Sequence, residues 1–411
     1  MTSLAKRVSE LALFNENYII EIRERIHRYP ELSFKEYETS RLIRDELNKM
    51  GIGYVNSPVE NGVIAEIDSD KPGNFLMLRA DMDALPIQED VDVSYKSKID
   101  GVMHACGHDI HVANLLAVGK ILKELKGEWT GKVKLVFQPG EENGGGGREM
   151  IRNGLMDELP DACFAIHVLN KKLGVVVAGS KNLTAYSDAF YITVKGKTAH
   201  SSAPEDGVDA IGIAAQIIST LNTIVAKNIN PLESSTLNVG KIVGGTAPNI
   251  IAGEVKMELM MRNKTQKARD IFAERIETIC RETASMMGGE CEIKRRYGYD
   301  SVYNDEGLTG FVVDTIMSNA DELYKNLDIS ETNVNELILA GNQFSMKSED
   351  FGFYSQNTPS TMIWVGVGEG PVMHNSRFHV DSENIIFITK LMTIVALEYL
   401  RTPLKNLIMA E

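Results

Sequence analysis

The octapeptide HACGHDIH at residues 104–111 gathers three of the chain's eight histidines and one of its four cysteines. Three chemistries can use such a set. Thiolate and imidazole together bind Zn, Mn, Co or Ni. A cysteine near a helix start, with histidine beside it, can be a nucleophile with its base. The bland alternative is a histidine-rich helix start in which Asp109 favours the positive helix end. A closed structural zinc site would need a second ligand pair of the CxxC or HxxxH kind, and the sequence offers none.

Other residues of the same chemical type lie far away in sequence. Glu141 and Glu142 follow the apolar run KVKLVFQ and Pro139, and precede four glycines at 144–147. Adjacent residues on a turn point in different directions, so one carboxylate can bind a metal while its neighbour serves as general base toward a water. The glycines would let the backbone crowd a bound substrate. A phosphate cradle fits poorly, because two carboxylates repel phosphate and no Walker lysine follows. His167 closes an otherwise apolar run and His374 lies a few residues beyond TMIWVGVG. Asp81 and Asp83, in RADMDALP, could cap or be solvated, or one could orient a ligating histidine. His27, His104 and His379 are read as structural.

These residues need elements to bring them together. GVIAEI, NFLMLRAD, KVKLVFQ, DACFAIHV and TMIWVGVG are short, nearly continuous apolar runs bounded by Gly, Pro, Asp or Asn, the pattern of strands buried on both faces. HVANLLAVGKILKELK between them has helical spacing, so an α/β fold with one mostly parallel sheet is expected. Two amphipathic helices are expected over 3–50, broken at HRYPELSF by Pro30. In open α/β sheets ligands bind beyond the carboxyl ends of the strands. Asp81, Asp83, Glu141, Glu142, His167 and His374 all fall there, and HACGHDIH directly precedes a helix. That convergence outweighs any one motif.

From about 188 the order becomes strand, helix, strand, strand, helix, strand, from YITVKG to CEIKRRY, the split βαβ arrangement of ferredoxin-like domains. The expected organisation is a discontinuous first domain, 1–187 and 298–411, with an insert at 188–297. A chain of 411 residues with 43% hydrophobic and 24% charged residues should fold throughout. Its net charge of -14 opposes nucleic-acid partners. No continuous apolar run approaches the roughly 20 residues needed to cross a bilayer, and the first residues lack signal-peptide features, so a cytoplasmic protein without a membrane partner is expected. The four scattered cysteines read as free thiols or ligands.

RADMDALP, HACGHDIH, QPGEENGGGG, AIHV, GKTAHSSAPEDGVDAI, GGTAPNII, KSEDFGFY and MHNSRFHVD occur in an order that resembles the dinuclear metallo-amidohydrolases of the aminoacylase, hippurate hydrolase and auxin-conjugate hydrolase type. The resemblance runs from HRYPELSF to MHNSRFHVD. It implies a metallo-exopeptidase-like catalytic domain, with the insert as lid and dimerisation domain. By position it implies that Cys106, His108, Glu142, His167 and His374 hold two divalent ions, with Glu141 as general base and acid and Asp83 supporting a ligand. His200 would steady the tetrahedral intermediate, often from a neighbouring subunit, and Asn249 and Arg262 would grip the substrate. The implied reaction is hydrolysis of N-acyl amino acids. Gly140, Asn143, Pro204-Glu205 and MHNS depart from the usual pattern without removing a proposed ligand, which bears on acyl and amino-acid preference. A dipeptidase or carboxypeptidase of the same superfamily is the nearest rival; a metal-dependent binding protein and a Cys106 hydrolase are the others.

Overall fold

The structure, a computed structural model, describes residues 3–325, 327 and 333–403. Its chain divides into two compact units: one from the described parts of Met1–Leu183, Val302–Gln343 and Asp350–Glu411, the other from Thr184–Ser301 and Phe344–Glu349.

The first unit is built on an eight-stranded sheet in the order Gly53–Asn56, Val63–Asp68, Lys132–Gln138, Phe75–Asp81, Ala162–Leu169, Ser360–Gly366, Val176–Gly179, Ile338–Gly341. The four strands from Lys132–Gln138 to Ser360–Gly366 are mutually parallel. Antiparallel pairs flank them on both sides, so the sheet is mixed with a parallel centre. The expected apolar runs form these strands because both faces are covered: all seven residues of Phe75–Asp81 are buried. Helix His108–Glu124 is buried along nearly its whole length, packed against Glu16–Arg28 and Ile385–Arg401. The N-terminal stretch forms three helices rather than two, Leu4–Phe14, Glu16–Arg28 and Tyr37–Met50, because the chain turns at Asn15 as well as after Arg28. Three short strands, Gly53–Asn56, Val176–Gly179 and Ile338–Gly341, were not anticipated.

The second unit has a four-stranded antiparallel sheet, ordered Ser235–Gly244, Glu254–Asn263, Tyr186–Lys195, Glu290–Tyr297. Helices Ala210–Leu221 and Gln266–Met286 bury Ile213, Ile217, Phe272 and Ile276 against it. This is the βαββαβ order of a ferredoxin-like fold. The stretch Ala210–Asn228 reaches membrane-spanning length and mean hydropathy; its alanines and isoleucines are spent on the core of this unit instead, with Ala210, Ile213, Ala214, Ile217, Leu221 and Ile224 buried.

Candidate metal centre

Four parallel strands end at one edge of the first unit's sheet, and their exits carry the candidate ligands. Asp81 is the last residue of Phe75–Asp81, Glu141 and Glu142 lie just past Lys132–Gln138, and His167 is inside the end of Ala162–Leu169. His374 follows Ser360–Gly366 by a loop. Helix His108–Glu124 starts at the same edge. Its preceding residue Gly107 has φ +92°, and a Cβ there would stand 2.5 Å from Val168 Cγ2. Only glycine lets the helix start come that close to the strand.

The side chains meet in three overlapping groups whose ligand atoms lie within 4.8 Å of one another: Cys106, His108 and His167; Cys106, Glu142 and His374; and His108, Glu141 and Glu142. Hydrogen bonds aim the lone pairs inward. His167 Nδ1 lies 2.8 Å from the Val168 carbonyl, so this nitrogen carries the proton and Nε2 is left as an acceptor, 3.5 Å from Cys106 Sγ. His108 Nδ1 lies 3.2 Å from Asp83 Oδ1, and its Nε2 is buried with no hydrogen-bond partner. His374 adopts φ +63°, its N–H donates to the Ala105 carbonyl at 2.8 Å, and its Nε2 lies 3.2 Å from Glu142 Oε1. A left-handed histidine is a strained choice that persists where its surroundings over-determine it. Thiol, imidazole and carboxylate donors converging on one space, buried at Cys106, His108 and His167 and open to solvent at His374, with an orphaned imidazole nitrogen among them, fit first-row divalent ions.

Charge supports the same reading. Burial opposes a proton on His108, yet Asp81, Cys106 and Asp83 outweigh it and hold this imidazole well above its ordinary pKa: the pocket favours positive charge at its centre. Burial pushes the Cys106 thiol well up, and Glu142 adds to this. A nucleophilic cysteine needs the opposite shift, so the cysteine-hydrolase reading loses its physical basis, whereas a bound cation deprotonates a coordinating thiol outright.

Both aspartates of RADMDALP orient histidines. Asp81 Oδ1 accepts from His111 Nδ1 at 2.5 Å, and His111 Nε2 accepts the Val168 N–H at 3.0 Å. Asp83, besides His108, accepts the backbone N–H groups of Glu141 and Glu142 and the Ser33 hydroxyl. Asp109 does more than favour a helix end: it takes Arg23 Nε and His27 Nδ1, both at 2.8 Å, while His27 Nε2 faces Glu89 Oε1 at 3.1 Å. An imidazole with a carboxylate on each nitrogen carries both protons; burial works against this, and Asp109 raises the His27 pKa despite it. His104 packs beside His27 without a hydrogen bond at either ring nitrogen, and burial lowers it to about 4. Arg23, Ser33, Glu36 and Glu89 carry no metal-type signature of their own, and sequence reasoning did not single them out. Of the four, only Ser33 falls in HRYPELSF, a stretch read as a helix break.

The remaining candidates belong to the second unit. His200 and Asn249 are exposed and adjacent: Ala199–His200 pairs with Ile250–Ile251, and Ser201 N–H donates to the Asn249 carbonyl at 2.9 Å. The Ser202 N–H donates to His200 Nδ1 at 3.2 Å, which leaves Nε2 as the protonated, donating nitrogen. Arg262 is at the other end of the sheet: it pairs with Ser187, whereas Glu254 pairs with Lys195 on the side leading to His200. Eight residues of strand separate Arg262 from Glu254, about 26 Å at ~3.3 Å per residue. Arg262 Nη1 donates to the Met346 carbonyl at 3.0 Å and to Ser348 Oγ at 3.1 Å.

An α/β unit with a parallel-centred sheet, an inserted βαββαβ unit and a thiol–imidazole–carboxylate cluster at the strand ends define a metallo-hydrolase of amide bonds. The chain belongs to Peptidase family M20/M25/M40, whose model matches residues 77–398. It is 37% identical to thermostable carboxypeptidase 1 of Saccharolobus solfataricus, over 90% of this chain and 92% of that protein. It is 35% identical to the N-acetyl-L-cysteine deacetylase of Bacillus subtilis, over 90% of this chain and 85% of that protein. A crystal structure described as a dinuclear metal binding peptidase from the M20 family, from Bacillus subtilis, superposes with a TM-score of 0.79 at 28% identity, covering 94% of this chain and 98% of that one.

Proposed function

We propose that this enzyme hydrolyses the amide bond of N-acyl amino acids, releasing a carboxylic acid and a free amino acid. Cys106, His108, Glu142, His167 and His374 would hold two divalent ions, of Mn, Zn, Co or Ni. The observation that carries the reading is the overlap of three ligand groups at one strand edge, one of which includes Glu141 beside Glu142. When bound, such ions lower the pKa of water and polarise the amide carbonyl.

The chain's own residues supply the rest. Glu141, 6% exposed, takes the proton of the attacking water and returns it to the nitrogen that leaves. Asp83 keeps His108 in the tautomer whose Nε2 faces inward. His200, donating through Nε2, stabilises the developing oxyanion, and Arg262 offers its remaining donors to a carboxylate. Asn249 contacts the substrate backbone. Since His200 lies past the Lys195 end of the four-stranded sheet, in the small two-stranded pair, and Arg262 near the sheet's other end, a small substrate is best served by His200 of one copy and Arg262 of another, which favours a homodimer. We place the protein in the cytoplasm, in keeping with its four free, buried cysteines.

The likeness to a carboxypeptidase favours a second reading, peptide rather than N-acyl substrates. Incubating Mn- or Zn-loaded protein with a mixed panel of N-acyl amino acids and dipeptides, with products identified by mass spectrometry, separates them. The proposal expects release of free amino acid from the N-acyl members, abolished by chelation; cleavage of dipeptides alone would select the second reading.

A further inference from the structure

Three successive backbone amides at the turn that carries Glu141 point at two buried carboxylates. Gly140 N–H donates to Glu36 Oε1 at 2.8 Å, Glu141 N–H to Asp83 Oδ1 at 3.1 Å, and Glu142 N–H to Asp83 Oδ2 at 2.9 Å. Glu36 and Asp83 are 0% and 1% exposed, so neither has water as an alternative partner for these bonds. Glu36 begins helix Tyr37–Met50, yet its side chain makes no capping bond to that helix. The carboxylate is directed at the turn instead.

The same short segment grips the turn a second way. The Phe34 ring fills the space where side chains at Gly140 and Gly144 would be: a Cβ at either would stand 2.6 or 2.5 Å from Phe34 Cε2. Gly140 is also left-handed, at φ +66°, so both its backbone and its missing side chain are required. Gly144 thus accommodates the protein itself, as do Gly146, against the Pro139 carbonyl, and Gly147, against Tyr354 and Gln138. Gly146 closes the loop, its N–H donating to the Gly140 carbonyl at 2.9 Å. Phe34 pays for its position with φ +61°, a conformation rare for a large aromatic residue and retained where surroundings impose it. Those surroundings are visible. Lys35 N–H donates to the Leu32 carbonyl, Ala84 N–H to the Glu31 carbonyl, and Ser33 Oγ to Asp83. The Glu31–Glu36 segment is thus fastened to the stretch that bears Asp83.

We propose that Phe34 and Glu36 are positioning residues that clamp the 139–146 turn and so fix the direction of the Glu141 carboxylate. A side chain's direction follows from its backbone. A turn followed by four glycines has little local preference of its own, and the clamp supplies what the local sequence lacks. Neither residue touches the ligand set. The proposal rests on the reading of Glu141 as general base, and its test includes a measurement independent of turnover.

Full-length E36A, E36Q and F34A would be compared with the wild type in metal content, in hydrogen–deuterium exchange of the 139–146 peptide, and in kcat and KM. The clamp predicts that E36A keeps its metal, exchanges faster in 139–146, and loses roughly 10- to 100-fold in kcat with KM within about twofold. E36Q, whose amide oxygen still accepts from Gly140, should restore most of the exchange protection and of kcat. F34A, which leaves both carboxylates in place, should raise exchange in the same peptide. Wild-type exchange in E36A, or an E36Q as unprotected as E36A, would overturn the proposal. If the wild type cleaves no amide, the functional reading fails while the exchange comparison still decides the clamp.

Discussion

In the first unit His108 is held by Asp83, and Asp83 by two backbone amides and a serine hydroxyl, with His108 and both aspartates of the pair at most 1% exposed. In the second unit His200 lies open to solvent and is oriented by Ser202, two residues away. The contrast follows from the role proposed for each histidine. A buried cluster of thiol, imidazole and carboxylate is costly to desolvate unless a cation and hydrogen bonds compensate it, so it must be built rigidly and from distant segments. A group that meets the substrate from outside stays hydrated until it binds, and local geometry is enough to set its tautomer.

The largest effect should come from the buried side. E141Q is expected to lower kcat by about 10³-fold with metal content unchanged, read from initial rates on the preferred N-acyl amino acid and from elemental analysis. Turnover near the wild-type rate would remove Glu141 from the role of base. H200Q should lower kcat by about 10²-fold and leave stability and metal content untouched, since His200 is exposed. A large fall in thermal midpoint would mean that the second unit depends on His200 structurally, and the contrast would collapse. The smallest effect concerns pH. Burial, with Asp83 next, raises the Glu36 carboxyl from 4.5 to about 7. The folded state then binds a proton that the unfolded state has released, so stability is full below about pH 4.5 and declines as pH rises through about 7. The loss is on the order of 3 kcal/mol. Denaturant titrations of metal-free wild type and E36Q across this range should show a steeper loss in the wild type, the difference between the two slopes being the Glu36 contribution.

What could be read from the sequence was what local pattern encodes. KVKLVFQ coincides with the strand Lys132–Gln138 because burial on both faces leaves a continuous apolar run. The ligand types in HACGHDIH, EE and the two later histidines are chemically conspicuous wherever they stand. The supports are not. Arg23 reaches Asp109 across 86 residues and Glu36 reaches Gly140 across 104, and an ordinary Arg or Glu on an amphipathic helix carries no sign of such a partner. The glycine run was legible as a need for close approach, but only the structure identifies Phe34 as what approaches. Three short strands escaped because four residues are too few to establish a period.

The sheet order also constrains how the protein is made. Ser360–Gly366 lies between Ala162–Leu169 and Val176–Gly179, so the central layer cannot close until synthesis has passed Gly366. Most of the second unit, Thr184–Ser301, is one continuous stretch and can fold while synthesis continues. His374 arrives last of the proposed ligands. If the five residues hold the ions as proposed, the full ligand set exists only once His374 has been made, although Cys106, His108 and His167 already form one group without it.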